Sequence, residues 1–102
     1  MFGTLAATPA AAQVLYGSIV GAVEDQSGAI VPKATVAITN KATGQTREAA
    51  SDDAGRFSLL NVLAGKYDLK VSAQGFRTTT KTDVEVAINT VTRADMRLEV
   101  QP

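Results

Sequence analysis

The sequence predicts an all-β domain, a seven-stranded antiparallel Greek-key β-sandwich, from three observations. From Gly17 onward apolar and polar side chains alternate with a period of two, the signature of strands with one buried and one wet face. Turn signals containing Gly separate these runs at the roughly eight-to-twelve-residue spacing of sandwiches and barrels. No long segment carries the 3.6-residue period of an amphipathic helix.

The first strand, Gly17 to Glu24, places Ile19, Gly21 and Val23 on one face. In the second, Val36 and Ile38 alternate with Thr35, Ala37 and Thr39. The third, Gln45 to Ser51, is polar through Thr46, Arg47 and Glu48, as a protected sheet edge is. An edge of this kind can also accept an extended partner segment. In the fourth, Phe57 and Leu59 alternate with Arg56 and Ser58; in the fifth, Tyr67, Leu69, Val71 and Ala73 alternate with Lys66, Asp68, Lys70 and Ser72. A weaker sixth strand puts Val84, Val86 and Ile88 together. The last run, Val91 to Val100, is the clearest. Thr92, Ala94, Met96, Leu98 and Val100 share one face, and Arg93, Asp95, Arg97 and Glu99 the other. The expected core is therefore Ile19, Val23, Val36, Ile38, Phe57, Leu59, Tyr67, Leu69, Val71, Met96 and Leu98.

The turns lie at Asp25-Gln26-Ser27-Gly28, Lys41-Ala42-Thr43-Gly44, Asp52-Asp53-Ala54-Gly55, Ala64-Gly65 and Gln74-Gly75. Gly28, Gly44, Gly55, Gly65 and Gly75 are the expected turn glycines, with Asp25 and Asp53 the carboxylates bonding turn amides. Pro32 falls between the first turn and the second strand, where its missing N–H breaks no ladder.

Composition narrows the function. The 102 residues suit one domain. Ten Lys plus Arg balance ten Asp plus Glu, so the basic surplus of nucleic-acid binders is missing. There is no Cys and no His, which removes disulfides, thiolate sites, and the commonest general base and zinc ligand. The segment from Met1 to Ala12 is uncharged and small or apolar. Its Ala10 and Ala12 suit a signal-peptidase site before Gln13, with Pro9 just upstream. Residues 1–12 are read as a signal-peptide remnant or a disordered segment, and 13–102 as the domain. The basic start of a signal peptide is lacking, so the expected leader begins further upstream.

The ordered string Gly17-Ser18-Ile19-Val20-Gly21-Ala22-Val23-Glu24-Asp25, Ser27-Gly28-Ala29-Ile30-Val31-Pro32-Lys33-Ala34-Thr35-Val36, Thr43-Gly44, Asp53-Ala54-Gly55-Arg56-Phe57, Leu63-Ala64-Gly65-Lys66-Tyr67 and Gly75-Phe76 resembles the carboxypeptidase regulatory-like domain. That family is a transthyretin-like, or prealbumin-like, sandwich, and the resemblance covers Gly17 to about Val100. The wording from Asp25 to Pro32 is similar to the N-terminal extension of TonB-dependent outer-membrane transporters. The resemblance implies an exported, non-catalytic accessory domain in the periplasm or outer membrane of a Gram-negative bacterium. Its partner would be the plug or barrel of the same protein. No plug or barrel sequence lies within these residues, which leaves open whether the domain is a piece of such a protein or free-standing. No zinc peptidase activity is implied, because the resemblance does not extend to a catalytic domain.

Candidate sites are few. Ser18, Ser27, Ser51, Ser58 and Ser72 have no His to activate them, and no Lys spacing singles one out. Asp52-Asp53 does not match a calcium loop and reads as a turn cap. An internal isopeptide bond is excluded: the first strand has no Lys and the last no Asn. No cofactor is expected. The rival function is glycan binding, since the family borders on starch-binding-like modules. Sugars stack on exposed aromatic faces; there is no Trp, and Phe76 beside Gly75 is the one loop ring on offer.

Overall fold

The computed structural model describes residues 15–101. The expected signal-peptide remnant at 1–12 lies outside them. Eight strands follow in order: β1 Tyr16–Asp25, β2 Thr35–Asn40, β3 Thr46–Ala50, β4 Arg56–Leu63, β5 Gly65–Ser72, β6 Thr79–Val86, β7 Val91–Arg93 and β8 Met96–Leu98. They form two four-stranded sheets. In the first, β1 is central, with β4 antiparallel on one side and β7 then β8 parallel on the other. The second runs β3-β2-β5-β6, all antiparallel.

The alternation places the core between the sheets. Every residue of the expected core is 5% exposed or less, and Val31, Ala34, Val62, Val84, Val86 and Ala94 join it. Burying such a set removes apolar surface worth about 25 cal/mol per Å².

The structure departs from the sequence reading in four places. The last run is two strands, giving eight where seven were expected. At the break Ala94 N–H still donates to Val20 O (2.8 Å), but the next β1 amide, Ala22, donates to Asp95 Oδ1 (3.0 Å). A side chain replaces one rung of the ladder. These two strands are also parallel to β1, not antiparallel. The chain crosses from β6 to the end where β1 begins, with Asn89 N–H donating to Tyr16 O and Ser18 N–H to Thr90 O. Alternation encodes which face is wet, not which way the strand runs. Val100 and Ile88, expected inside, are exposed: β6 ends at Val86, and past Leu98 the chain leaves β1 to bridge Phe76. Finally, β6 begins at Thr79, in a stretch of Thr and Lys with no apolar alternation.

Gly21 has a packing role. A Cβ there would overlap the carbonyl oxygen of Ala94 and press on the Phe57 ring (2.8 Å). The β1–β8 junction needs the bare backbone.

Candidate functional site

Two turns at one end, after β1 and after β3, share a construction. Asp25 Oδ1 accepts from the Ser27 amide (2.8 Å), the Ser27 hydroxyl (2.6 Å) and the Ala29 amide (3.0 Å), while Gly28 N–H donates to Asp25 O. In the β3–β4 turn the equivalent residue is Asp52, whose Oδ1 accepts from the Ala54 and Arg56 amides (both 2.9 Å), with Gly55 N–H on Asp52 O. This corrects the role expected of Asp53. A carboxylate reaches the amides two and four residues ahead only from the first turn position, and Asp53 sits in the second. Gly55 supplies the φ of 76° that closes this turn. The Ser27 hydroxyl holds the Asp25 carboxyl below the usual carboxylate range, and the Arg56 amide does the same for Asp52.

At the opposite end, buried Asn40 anchors the β2–β3 turn. Its Oδ1 accepts from the Ala42 and Thr43 amides (2.8 and 3.1 Å), and its Nδ2 donates to Tyr67 Oη (3.2 Å). Tyr67 Oη in turn donates to Leu63 O (2.7 Å). Lys41 beside it bridges Asp83 (2.9 Å) and Asp68 (3.8 Å). The hydrogen bond between them raises the Lys41 ammonium and lowers the Asp83 carboxyl.

The most site-like surface is the open side of the sandwich, where β3 and β4 are edges that pair with no further strand among the described residues. Ladder bonds at both ends of the β2–β3 hairpin, Asn40 N–H to Gln45 O and Ser51 N–H to Ala34 O, fix its alternation. In that alternation Arg47 and Ala49 are bonded into β2, and Thr46, Glu48 and Ala50 turn their amides and carbonyls to the free edge. Arg47 crosses the gap to β4, its Nη1 donating to Asn61 O (3.0 Å). Asn61 has φ 55° beside the β1–β4 register shift. A hollow lies on each side of this bridge. One of about 170 Å³ is lined by Tyr16, Leu63, Arg47, Asn61 and Tyr67. The other, of about 400 Å³, is lined by Ala50, Asp52, Arg56, Ser58 and Arg93. Arg93 is paired with Asp95 (3.0 Å); Arg56 makes no ion pair with another described residue.

Phe76 is half-buried against the core, in a groove of about 340 Å³ with Ile30, Pro32, Ala73 and Gln74. Ser51 is buried, its Oγ accepting from Ala34 N–H and donating to Val31 O (both 2.8 Å). Among the described residues no group of three or more His, Cys, Asp or Glu is placed to hold a metal ion.

The sequence from residue 18 to 99 matches the model of the carboxypeptidase regulatory-like domain. The chain belongs to that family of non-catalytic interaction domains. No curated protein matches it. Among solved structures it is similar to the Bacillus anthracis TIE protein, with a TM-score of 0.70 and 18% identity over 83% of this chain and 16% of that one. It is similar also to hydroxyquinol 1,2-dioxygenase from Pseudomonas putida DLL-E4, with a TM-score of 0.70 and 10% identity over 87% and 58%. A candidate carbohydrate-binding protein from Bacteroides uniformis ATCC 8492 gives 0.64 and 20% over 79% and 40%. At these identities the likeness is one of fold, and this chain spans only part of each of those proteins.

Proposed function

We propose that this domain is an exported accessory module that stands in series within, or against, a TonB-dependent outer-membrane transporter, as a rigid spacer and contact surface. The observation that carries the reading is where the chain enters and leaves. Tyr16 opens β1 at one end of the sandwich, and β8 lies parallel to the far half of β1, so Gln101 emerges at the other end. The 10 residues of β1, at about 3.3 Å each, hold the two ends about 30 Å apart. A spacer needs that through-passage. The chemistry of the described surface is that of contact: an open strand edge, capped turns and ordinary charges. Fractionation of the native host, with an epitope inserted in the exposed Lys41–Gly44 turn, tests it. The epitope is expected in the periplasmic or outer-membrane fraction, cross-linked to a barrel protein; a cytoplasmic location overturns the proposal.

A second reading, glycan binding, draws on the half-buried Phe76 ring in its groove and on the fold shared with the Bacteroides uniformis protein. A glycan array tests it: binding abolished by Phe76→Ala supports this reading, and no binding removes it.

A further inference from the structure

We infer that β3 is a strand-addition site for an extended peptide from another protein, with a basic side chain facing Glu48 and acidic and apolar side chains on its other face. The inference rests on the contact-module reading and names the chemistry of that contact.

The edge is open and short. Thr46, Glu48 and Ala50 present three amides and three carbonyls that bond to no other described residue, and their side chains are exposed. An extended segment laid antiparallel along them would continue the β3-β2-β5-β6 sheet.

Charge selects the occupant. Residues directly opposite share a face, so Arg47 and Ala49 turn inward with Ile38 and Val36, while Glu48 stands on the outer face. Glu48 pairs with no described cation. A second copy pairing over the whole edge would set Glu48 against its own counterpart, and like charges directly opposite are destabilising. A Lys or Arg on the incoming strand reverses that sign. The incoming strand's alternate side chains would lie over the β4 edge, above the two hollows. At the Ala50 end they approach Arg56, which lies near Asp52 without forming an ion pair with a described residue, and which suits a carboxylate. At the Gln45 end they meet Tyr16 and Leu63, both more than a third exposed, which suits an aliphatic group. The acid and the aliphatic residue fall four positions apart, on one face of a strand.

The test uses the full chain and the blocked heptapeptide acetyl-Val-Thr-Glu-Lys-Thr-Thr-Leu-amide, whose register places Glu towards Arg56, Lys opposite Glu48 and Leu at Tyr16. Amide hydrogen exchange is followed residue by residue. At peptide ten times above its Kd, the Thr46, Glu48 and Ala50 amides are expected to slow about tenfold. The charge-reversed peptide Val-Thr-Lys-Glu-Thr-Thr-Leu is expected to slow them far less, and the double change Glu48→Lys with Arg56→Glu, both at exposed positions, to reverse that preference. Equal effects of the two peptides, slowing at the β6 edge instead, or no slowing at all would each overturn the inference. So would concentration-dependent slowing without peptide, which means self-pairing. These outcomes are independent of where the protein resides, so failure here and failure of the exported-module reading are told apart.

Discussion

Tyr67→Phe isolates the part of this fold that burial alone does not describe. The ring is 5% exposed and sits in the core with Ile38 and Leu69. Phenylalanine keeps that packing and deletes only the hydroxyl. Two bonds go with it: the 2.7 Å donation to Leu63 O and the 3.2 Å acceptance from Asn40 Nδ2. A net intramolecular hydrogen bond contributes about 0.5–1.5 kcal/mol, and an orphaned buried partner costs about 1–3. Leu63 is 45% exposed, so water can re-satisfy its carbonyl and the low end applies there. Asn40 is 7% exposed, so its amide nitrogen takes the larger penalty. The sum is about 2 kcal/mol. With a urea m-value near 1–3 kcal/mol/M, the midpoint falls by about 1 M. The Asn40 turn should loosen with it, seen as faster amide exchange at Ala42 and Thr43. A midpoint equal to that of the unaltered protein, with unchanged exchange in that turn, would refute the claim that the hydroxyl ties β2 to β4.

Phe57→Ala empties the middle of the core and is expected to destabilise by about 3–5 kcal/mol, read from the same denaturant curves. Gly21→Ala puts a methyl against the Ala94 carbonyl and is expected to cost about 1–3 kcal/mol, with loss of exchange protection at Ala94. The Asp25 and Asp52 carboxyls are lowered in the fold, so their contribution is present above the unfolded pKa of about 4 and is lost as pH falls through the folded value. Stability should therefore fall on acidification below about pH 4. Asp52→Ala should flatten that acid limb and Asp53→Ala should not, as a denaturation series from pH 6 to 2 would show.

The faces of the strands were legible because a half-buried sheet forces alternation, and the expected core residues lie where that pattern places them. What was not legible depends on contacts between distant parts of the chain. The direction of β7 and β8 is set by the crossover at Asn89 and Thr90. The first half of β6 is an edge with exposed side chains from Thr80 to Asp83, so nothing required an apolar period there. Asp52 and Asp53 are adjacent and identical in type, and only the turn geometry distinguishes them. Asn40 reads as the last polar residue of a strand; its buried position under Tyr67 follows from the fold. The open edge at β3 was marked by Thr46, Arg47 and Glu48, but the Arg47–Asn61 bridge and the hollows flanking it depend on β4 of the first sheet.

Residue-resolved hydrogen exchange of the unliganded domain across β3 reports most directly on the open edge. Arg47 and Ala49 donate into β2, so their amides are expected to exchange slowly, while those of Thr46, Glu48 and Ala50 exchange near the rate of a free chain. Five slow amides would mean the edge is already occupied, and five fast ones would mean β3 is not a strand; either pattern contradicts a preformed edge free to take a partner.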